Sequence, residues 1–234
     1  MPTTIPTPRV ATSERILSFA PDRSVGTLHV RPTGGDPDAG GWLPLAAARW
    51  SVLVPPGMDV RLWVEPATAR RTIGVLGKLP ADSLSELILL GSPVTDTHLR
   101  NLVGLSGLRL LDLFHTKVTD PGLEHVAALT GLEWLSFTGT NVGDSGVVRL
   151  QTLSELRRLS LKDTRITDAS AAILSRLPNL HWLSVSGTRI TDAGLRLLAS
   201  SPSLRALSVH RCAVTRAQLE ATTTGHPNLA LIEH

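Results

Sequence analysis

The chain has 234 residues, of which 42% are hydrophobic and 18% charged, and carries a formal net charge of +3. This composition supports a packed core and excludes a disordered chain, and so small a basic surplus over this length does not by itself imply nucleic acid. One cysteine, Cys212, excludes a disulfide framework within the chain, and no apolar run reaches the roughly 18 residues that a membrane span needs.

Residues 1–13 are rich in Pro and Thr and read as a mobile N-terminus with no secretory signal, so a cytoplasmic location is expected. Residues 14–83 read as a β-rich segment. Arg15 to Phe19 and Val25 to Val30 are short β-type runs. Ser51 to Val54 and Val60 to Val64 alternate around Pro55-Pro56-Gly57 and predict a hairpin. Gly34 to Gly41 predicts an exposed loop, and residues 67–83 a short helical turn.

From Leu84 to the C-terminus the chain repeats every 24 residues. Units begin at Leu84, Leu108, Leu132, Leu156, Leu180 and Leu204; the last reads as 25 residues, followed by a strand stub from Leu229. Such a period signals a stacked array. Counting from the first Leu, positions 1, 4 and 6 are apolar, as in Leu108, Leu111 and Leu113, which predicts a strand with those side chains inward. Position 11 is always Val or Ile. Positions 16, 19 and 22 are apolar at helical spacing, as in Leu123, Val126 and Leu129. Each unit is therefore a strand, a turn and a helix, and neighbouring strands form a parallel sheet. An open apolar end needs a cover, and the β-rich segment is the natural N-terminal cap; an independent binding module is the alternative.

Two rows at the turns read as structural. Position 9 holds Ser92, Thr116, Thr140, Thr164, Thr188 and Cys212, a ladder that would bond the backbone of adjacent units. Position 13 holds Asp96, Asp120, Asp144, Asp168 and Asp192, each just before a helix, where Asp is a favoured N-cap. Pro121 after Asp120 supports that placement. In the sixth unit Arg216 replaces Asp, and Thr215 is the expected cap.

The phrase Ile190-Thr191-Asp192-Ala193-Gly194-Leu195, with Val118-Thr119-Asp120-Pro121-Gly122-Leu123 and the L-x-x-L-x-L core, resembles leucine-rich repeats of the ribonuclease-inhibitor-like and cysteine-containing branch. It looks like the short, regular bacterial form common in planctomycete-type genomes, with Thr mostly replacing the family's ladder Cys or Asn. The resemblance covers about two thirds of the chain. It implies an α/β fold: a right-handed solenoid, or horseshoe, with a concave parallel sheet and convex helices, used mainly for protein recognition. Nothing before Leu84 resembles the F-box of eukaryotic relatives.

Strand positions 3, 5 and 7 face away from the core, onto the expected concave surface. Trp134, Arg158 and Trp182 share position 3 in successive units, so the guanidinium should lie between two indoles about 10 Å apart. Four serines run beside them and would leave room for an incoming chain. Leu110, Asp112, Phe114, Lys162 and His210 complete the candidate surface, and Trp and Arg are typical of binding hot spots. Ile88, Leu90, Leu110 and Phe114 form its apolar end. A second basic stripe, Lys117, Arg165 and Arg189, is expected to pair with the aspartate row. Asp163, His181 and His210 could approach one another at the rim. No H-E-x-x-H, phosphate-binding glycine loop or G-x-S-x-G occurs. The reading is a non-enzymatic scaffold that binds another protein, without cofactor or metal. A nucleic-acid-binding face using Arg157, Arg158, Lys162, Arg205 and Arg211 is the minor alternative.

Overall fold

A computed structural model describes residues 14–19, 24, 26–34, 41–49 and 51–232. Residues 1–13, Val25 and residues 35–40, on which parts of the N-terminal expectations fall, lie outside the described residues.

The N-terminal segment contributes five strands: β1 (Arg15–Ser18), β2 (Gly26–Pro32), β3 (Leu43–Ala47), β4 (Ser51–Val54) and β5 (Met58–Val64), then α1 (Ala69–Leu76). The hairpin expected across Pro55-Pro56-Gly57 does not form. β4 pairs with β1 in a two-stranded sheet, whereas β5 lies between β2 and β6 (Glu86–Ile88) in the main sheet. The turn at Gly57 (φ 70°) therefore passes the chain from one sheet to the other. Burial explains the choice. Val60, Leu62 and Val64 bury fully in the main core when β5 joins the long sheet, while Leu17 and Val54 bury from the small one. β3 carries no clear sequence signal: Pro44 interrupts a weak Leu-Ala run, which suits an edge strand.

The repeats supply β6, β7 (Leu110–Asp112), β8 (Trp134–Ser136), β9 (Arg158–Ser160), β10 (Trp182–Ser184), β11 (Ala206–Ser208) and β12 (Ala230–Ile232). All pair in parallel and in register, and β5 continues them, giving the order β12-β11-β10-β9-β8-β7-β6-β5-β2-β3. Leu87, Leu111, Leu135, Leu159, Leu183 and Leu207 stand opposite one another in successive strands and are fully buried. Leu231 stands opposite Leu207, so the sixth unit keeps the 24-residue step and the extra residue expected before the stub is not an insertion.

Helices follow each strand: α2 (Asp96–Leu99), α3 (Leu123–Val126), α4 (Asp144–Val147), α5 (Asp168–Leu174), α6 (Asp192–Ala199) and α7 (Arg216–Gly225). In the first three units they are single turns joined to 3-10 turns; from α5 onward they lengthen. The sequences account for this. Pro121 and Gly122 precede α3 and the β-branched pair Val147-Val148 ends α4, whereas α5 and α6 are rich in Ala and Leu. One buried apolar cluster runs from Leu17 to Leu229 and unites the N-terminal strands with the repeats.

Candidate functional site

Residues at positions 3, 5 and 7 lie on the sheet face opposite the leucine core. The register sets Trp134 beside Arg158 and Arg158 beside Trp182. Strands lie about 4.8 Å apart, so the backbones of the two tryptophans stand about 10 Å apart on either side of that of Arg158. Arg158, Lys162 and His210 are exposed, and Leu110, Asp112, Phe114, Trp134 and Trp182 are half-buried. The serine file is more closed than expected. Ser136, Ser160, Ser184 and Ser208 are all buried. Two of their hydroxyls meet position 7 of the preceding unit: Thr138 Oγ1 lies 2.6 Å from Ser160 Oγ, and Ser186 Oγ 2.7 Å from Ser208 Oγ. The file is a buried polar floor rather than an open slot, because side chains this small sink between their larger neighbours.

Asp112 accepts the Phe114 N–H at 3.0 Å, and the Phe114 ring meets His115 edge-on at 4.2 Å between centroids. Burial pushes the Asp112 carboxyl above its ordinary pKa; the bonds from Phe114 N–H and the Ser136 hydroxyl offset this only in part. The rim cluster of Asp163, His181 and His210 does not assemble. Asp163 faces Arg211 at 3.8 Å, and His181 Nδ1 bonds the Asn179 carbonyl. Of the basic stripe, Arg165 bonds the Asn141 carbonyl of the preceding unit through Nε and Nη2 rather than an aspartate.

The N-terminal strands extend this face, which the repeat period alone could not show. β5 sets Arg61 opposite Glu86 and Trp63 opposite Ile88. Trp63 is 52% exposed and lengthens the apolar end formed by Ile88, Leu90, Leu110 and Phe114. Beside it lies a buried charge network. Glu86 accepts Arg61 at 2.5–2.7 Å and Arg31 at 3.2 Å. Asp59 accepts Arg109 at 2.6 Å and Ser85 Oγ at 3.1 Å. The Trp42 ring lies 4.5 Å from the Arg31 guanidinium carbon and 4.3 Å from that of Arg61, a double cation–π contact. Over this network, between the N-terminal strands and the first repeats, is a depression of about 270 Å³ walled by Arg109, Leu110, Glu133, Trp134, Arg157 and Arg158.

A family model described as Leucine Rich repeat matches residues 108–127, in the second unit, and 176–199, from the end of the fourth unit into the fifth. Two segments of the chain are thus similar to leucine-rich repeats. No curated protein matches the chain. Leucine-rich repeats are commonly protein-interaction modules and generally non-enzymatic scaffolds. Among the described residues no helix is long and apolar enough to cross a membrane.

The geometry revises the two structural rows of these 24-residue repeats. The aspartates are not N-caps. The cap residues are Thr95, Thr119, Gly143, Thr167 and Thr191, and Asp96, Asp120, Asp144, Asp168 and Asp192 follow them in the first turn. Their carboxylates reach into the next unit instead. Asp96 accepts Thr119 N–H at 2.8 Å and its hydroxyl at 2.6 Å, and Asp168 accepts Thr191 N–H at 2.8 Å and its hydroxyl at 2.5 Å. Asp144 and Asp192 grip Thr167 and Thr215 likewise. Where Gly143 replaces Thr, Asp120 takes its N–H and the Ser145 hydroxyl. The Gly of T-D-x-G-L makes room: a Cβ on Gly122 or Gly194 would sit 2.4 or 2.2 Å from the incoming carboxylate oxygen. Ser170, at the same position in the fourth unit, bonds Asp144 at 2.5 Å instead. The motif is thus an inter-unit clasp. Thr215 does cap α7, accepting from Gln218 N–H at 3.2 Å.

The position-9 ladder also acts differently. Thr116, Thr140, Thr164 and Thr188 donate to the carbonyl three residues back in their own unit, at 2.5–2.8 Å. Only Cys212 crosses to the preceding unit, with Sγ 3.1 Å from the Val185 carbonyl, and the Ser92 hydroxyl has no hydrogen-bond partner. A side chain on a tight turn finds its own i−3 carbonyl nearer than its neighbour's.

Proposed function

We propose that the chain is a non-catalytic scaffold that holds another protein against the sheet face bearing Trp134, Arg158 and Trp182. The observation that carries this reading is the in-register file of two half-exposed indoles and an exposed guanidinium over a floor of small hydroxyl side chains. Trp and Arg bring large contact area and fixed donor geometry, and a flat floor lets a partner approach closely. We also read the stack as curved, with this face concave. Helices pack 8–10 Å apart and strands about 4.8 Å apart, so the wider helical side is the convex one. On the same reading the N-terminal strands cap the first unit, since β5 occupies the place that a preceding repeat would take.

Nucleic acid fits less well. A phosphate backbone favours a continuous basic track, and acids interrupt this one: Glu133 lies 3.9 Å from Arg157 and Asp163 3.8 Å from Arg211. The experiment is quantitative affinity capture with wild type and a Trp134→Ala/Trp182→Ala variant whose fold is checked by circular dichroism. Loss of the captured partner is expected; equal recovery by both proteins removes this face from consideration.

A further inference from the structure

Position 2 of the repeats, at the entry edge of each strand, reads Ser85, Arg109, Glu133, Arg157, His181 and Arg205. Successive members are neighbours in space, since each N–H at this position from Arg109 to Arg205 donates to the carbonyl of the one before at 2.8–2.9 Å. Three arginines thus recur at every second strand, with a single acid among them. The row runs alongside Trp134, Arg158 and Trp182 and begins in the depression beside the N-terminal strands.

The charges there are unevenly answered. Asp59 and Glu86 are buried and already accept Arg109, Ser85, Arg31 and Arg61, so they offer little to a cationic guest. The cations keep capacity. Arg109 engages Asp59 through Nη2, and a guanidinium has five donors. Arg157 meets Glu133 only at 3.9 Å, with the Arg157 side chain exposed and that of Glu133 partly so. Arg205 is exposed and holds only neutral carbonyls. Four arginines line the depression against three carboxylates, with Leu110 and the Trp134 indole as its apolar wall. A volume of about 270 Å³ takes a side chain or two, not a folded element.

We propose that the partner presents an extended acidic segment that runs across the strands along this row, with one carboxylate side chain in the depression and apolar residues on Leu110, Trp134 and Trp182. This rests on the protein-binding reading above and names the chemistry of what is bound. The spacing follows from geometry. Successive members of Arg109, Arg157 and Arg205 are two strands apart, about 9.6 Å, and an extended segment of polyproline II form advances about 3.1 Å per residue with three residues per turn, so every third side chain returns to the same face after about 9.3 Å. Carboxylates at i, i+3 and i+6 therefore meet the three arginines, and Glu133 disfavours an acid opposite it.

The test uses fluorescein-labelled peptides blocked at both ends, read by anisotropy against the full chain. One carries Glu at i, i+3 and i+6 with Leu and Ser between, one carries Lys at those positions, and one has its three Glu contiguous. The expected result is at least tenfold tighter binding of the spaced-Glu peptide than of either control, steep weakening with salt, and at least tenfold loss in Arg157→Glu/Arg205→Glu. Both substitutions are at exposed side chains, so the fold should persist, with circular dichroism as the check. Equal affinity for the Glu and Lys peptides, no binding of the spaced-Glu peptide, or no loss in the double variant overturns the proposal. Should Trp134→Ala/Trp182→Ala still abolish capture of a protein partner in those cases, the face binds protein and only the acidic class is wrong.

Discussion

Two kinds of seam hold this molecule together, and they are built from different chemistry. Between repeats the seam is a recurring clasp: a leucine file in the sheet and an Asp-to-Thr grip at the turns, as in Asp168 on Thr191. Between the N-terminal strands and the first repeat it is a one-off network, in which Asp59 and Glu86 are enclosed by Arg31, Arg61 and Arg109. The first unit marks the change. With no aspartate upstream, Thr95 turns to His98, whose Nδ1 lies 3.2 Å from Thr95 N and 2.6 Å from its hydroxyl. A repeating seam tolerates modest interactions because each unit adds another copy. A unique seam has no copies, and buried charges there fix one pairing because any other leaves an ion unanswered.

The strongest way to break this contrast is Asp59→Ala. It takes from Arg109 the carboxylate it grips and leaves Arg31 with Glu86, in a network whose two acids are buried, and should cost about 3–5 kcal/mol. Urea unfolding measures the loss, and amide exchange should accelerate first in β2 and β5. A loss under about 1 kcal/mol would place the network with ordinary surface pairs. On the repeat side, Leu159→Ala opens a cavity in a fully buried file and should cost about 2–5 kcal/mol. There exchange should rise in β8, β9 and β10 together, and protection confined to normal in β8 and β10 would deny that the files are coupled.

A finer separation comes from pH. At Asp144 burial works to raise the pKa, but bonds from Ser170 and from the Thr167 N–H and hydroxyl outweigh it and the net shift is downward. Its contribution is present above the unfolded-state value, about 3.9, and is lost as pH falls through the lower folded value. Asp112 is shifted upward, chiefly by burial, so its stabilising balance lies at low pH and is lost as pH rises through the folded value. Asp144→Asn should therefore destabilise at pH 7 and converge on wild type near pH 2, while Asp112→Asn should stabilise at pH 7. Denaturant midpoints across pH 2–7 check both, and slopes of the same sign for the two variants would refute the assignment. The smallest effect is expected from Cys212→Thr, which restores the residue of the other ladder turns and should shift stability by no more than about 0.5 kcal/mol in thermal unfolding.

How much was legible in advance follows from locality. Inward Leu111 and outward Trp134 follow from the alternation of a strand, and the lateral register of Trp134, Arg158 and Trp182 follows from a constant 24-residue step. The aspartate row is visible in the sequence, but its task is not: in one unit Asp96 sits close to where a cap would, and only a second unit placed beside it brings Thr119 within reach. The serine file looked open because burial by flanking side chains is a property of the stacked sheet. The hairpin around Gly57 failed for a related reason. Local alternation is the same whether β5 pairs with β4 or with β6, and the competition for core surface decides.

Taken alone, the order of residues determined the period, the stacked parallel strands, the inward leucines and the file of ring, guanidinium and ring, because each depends on spacing along the chain. Only the tertiary structure decided which strand β5 joins, that Arg31, Asp59, Arg61, Glu86 and Arg109 form one network with Trp42 upon it, and that a depression lies where the non-repeating strands meet the first repeats. Those residues are up to 78 positions apart in sequence (Arg31 to Arg109) and follow no period, so their pairing is set by the energy of the closed core and of charges that must be answered within it.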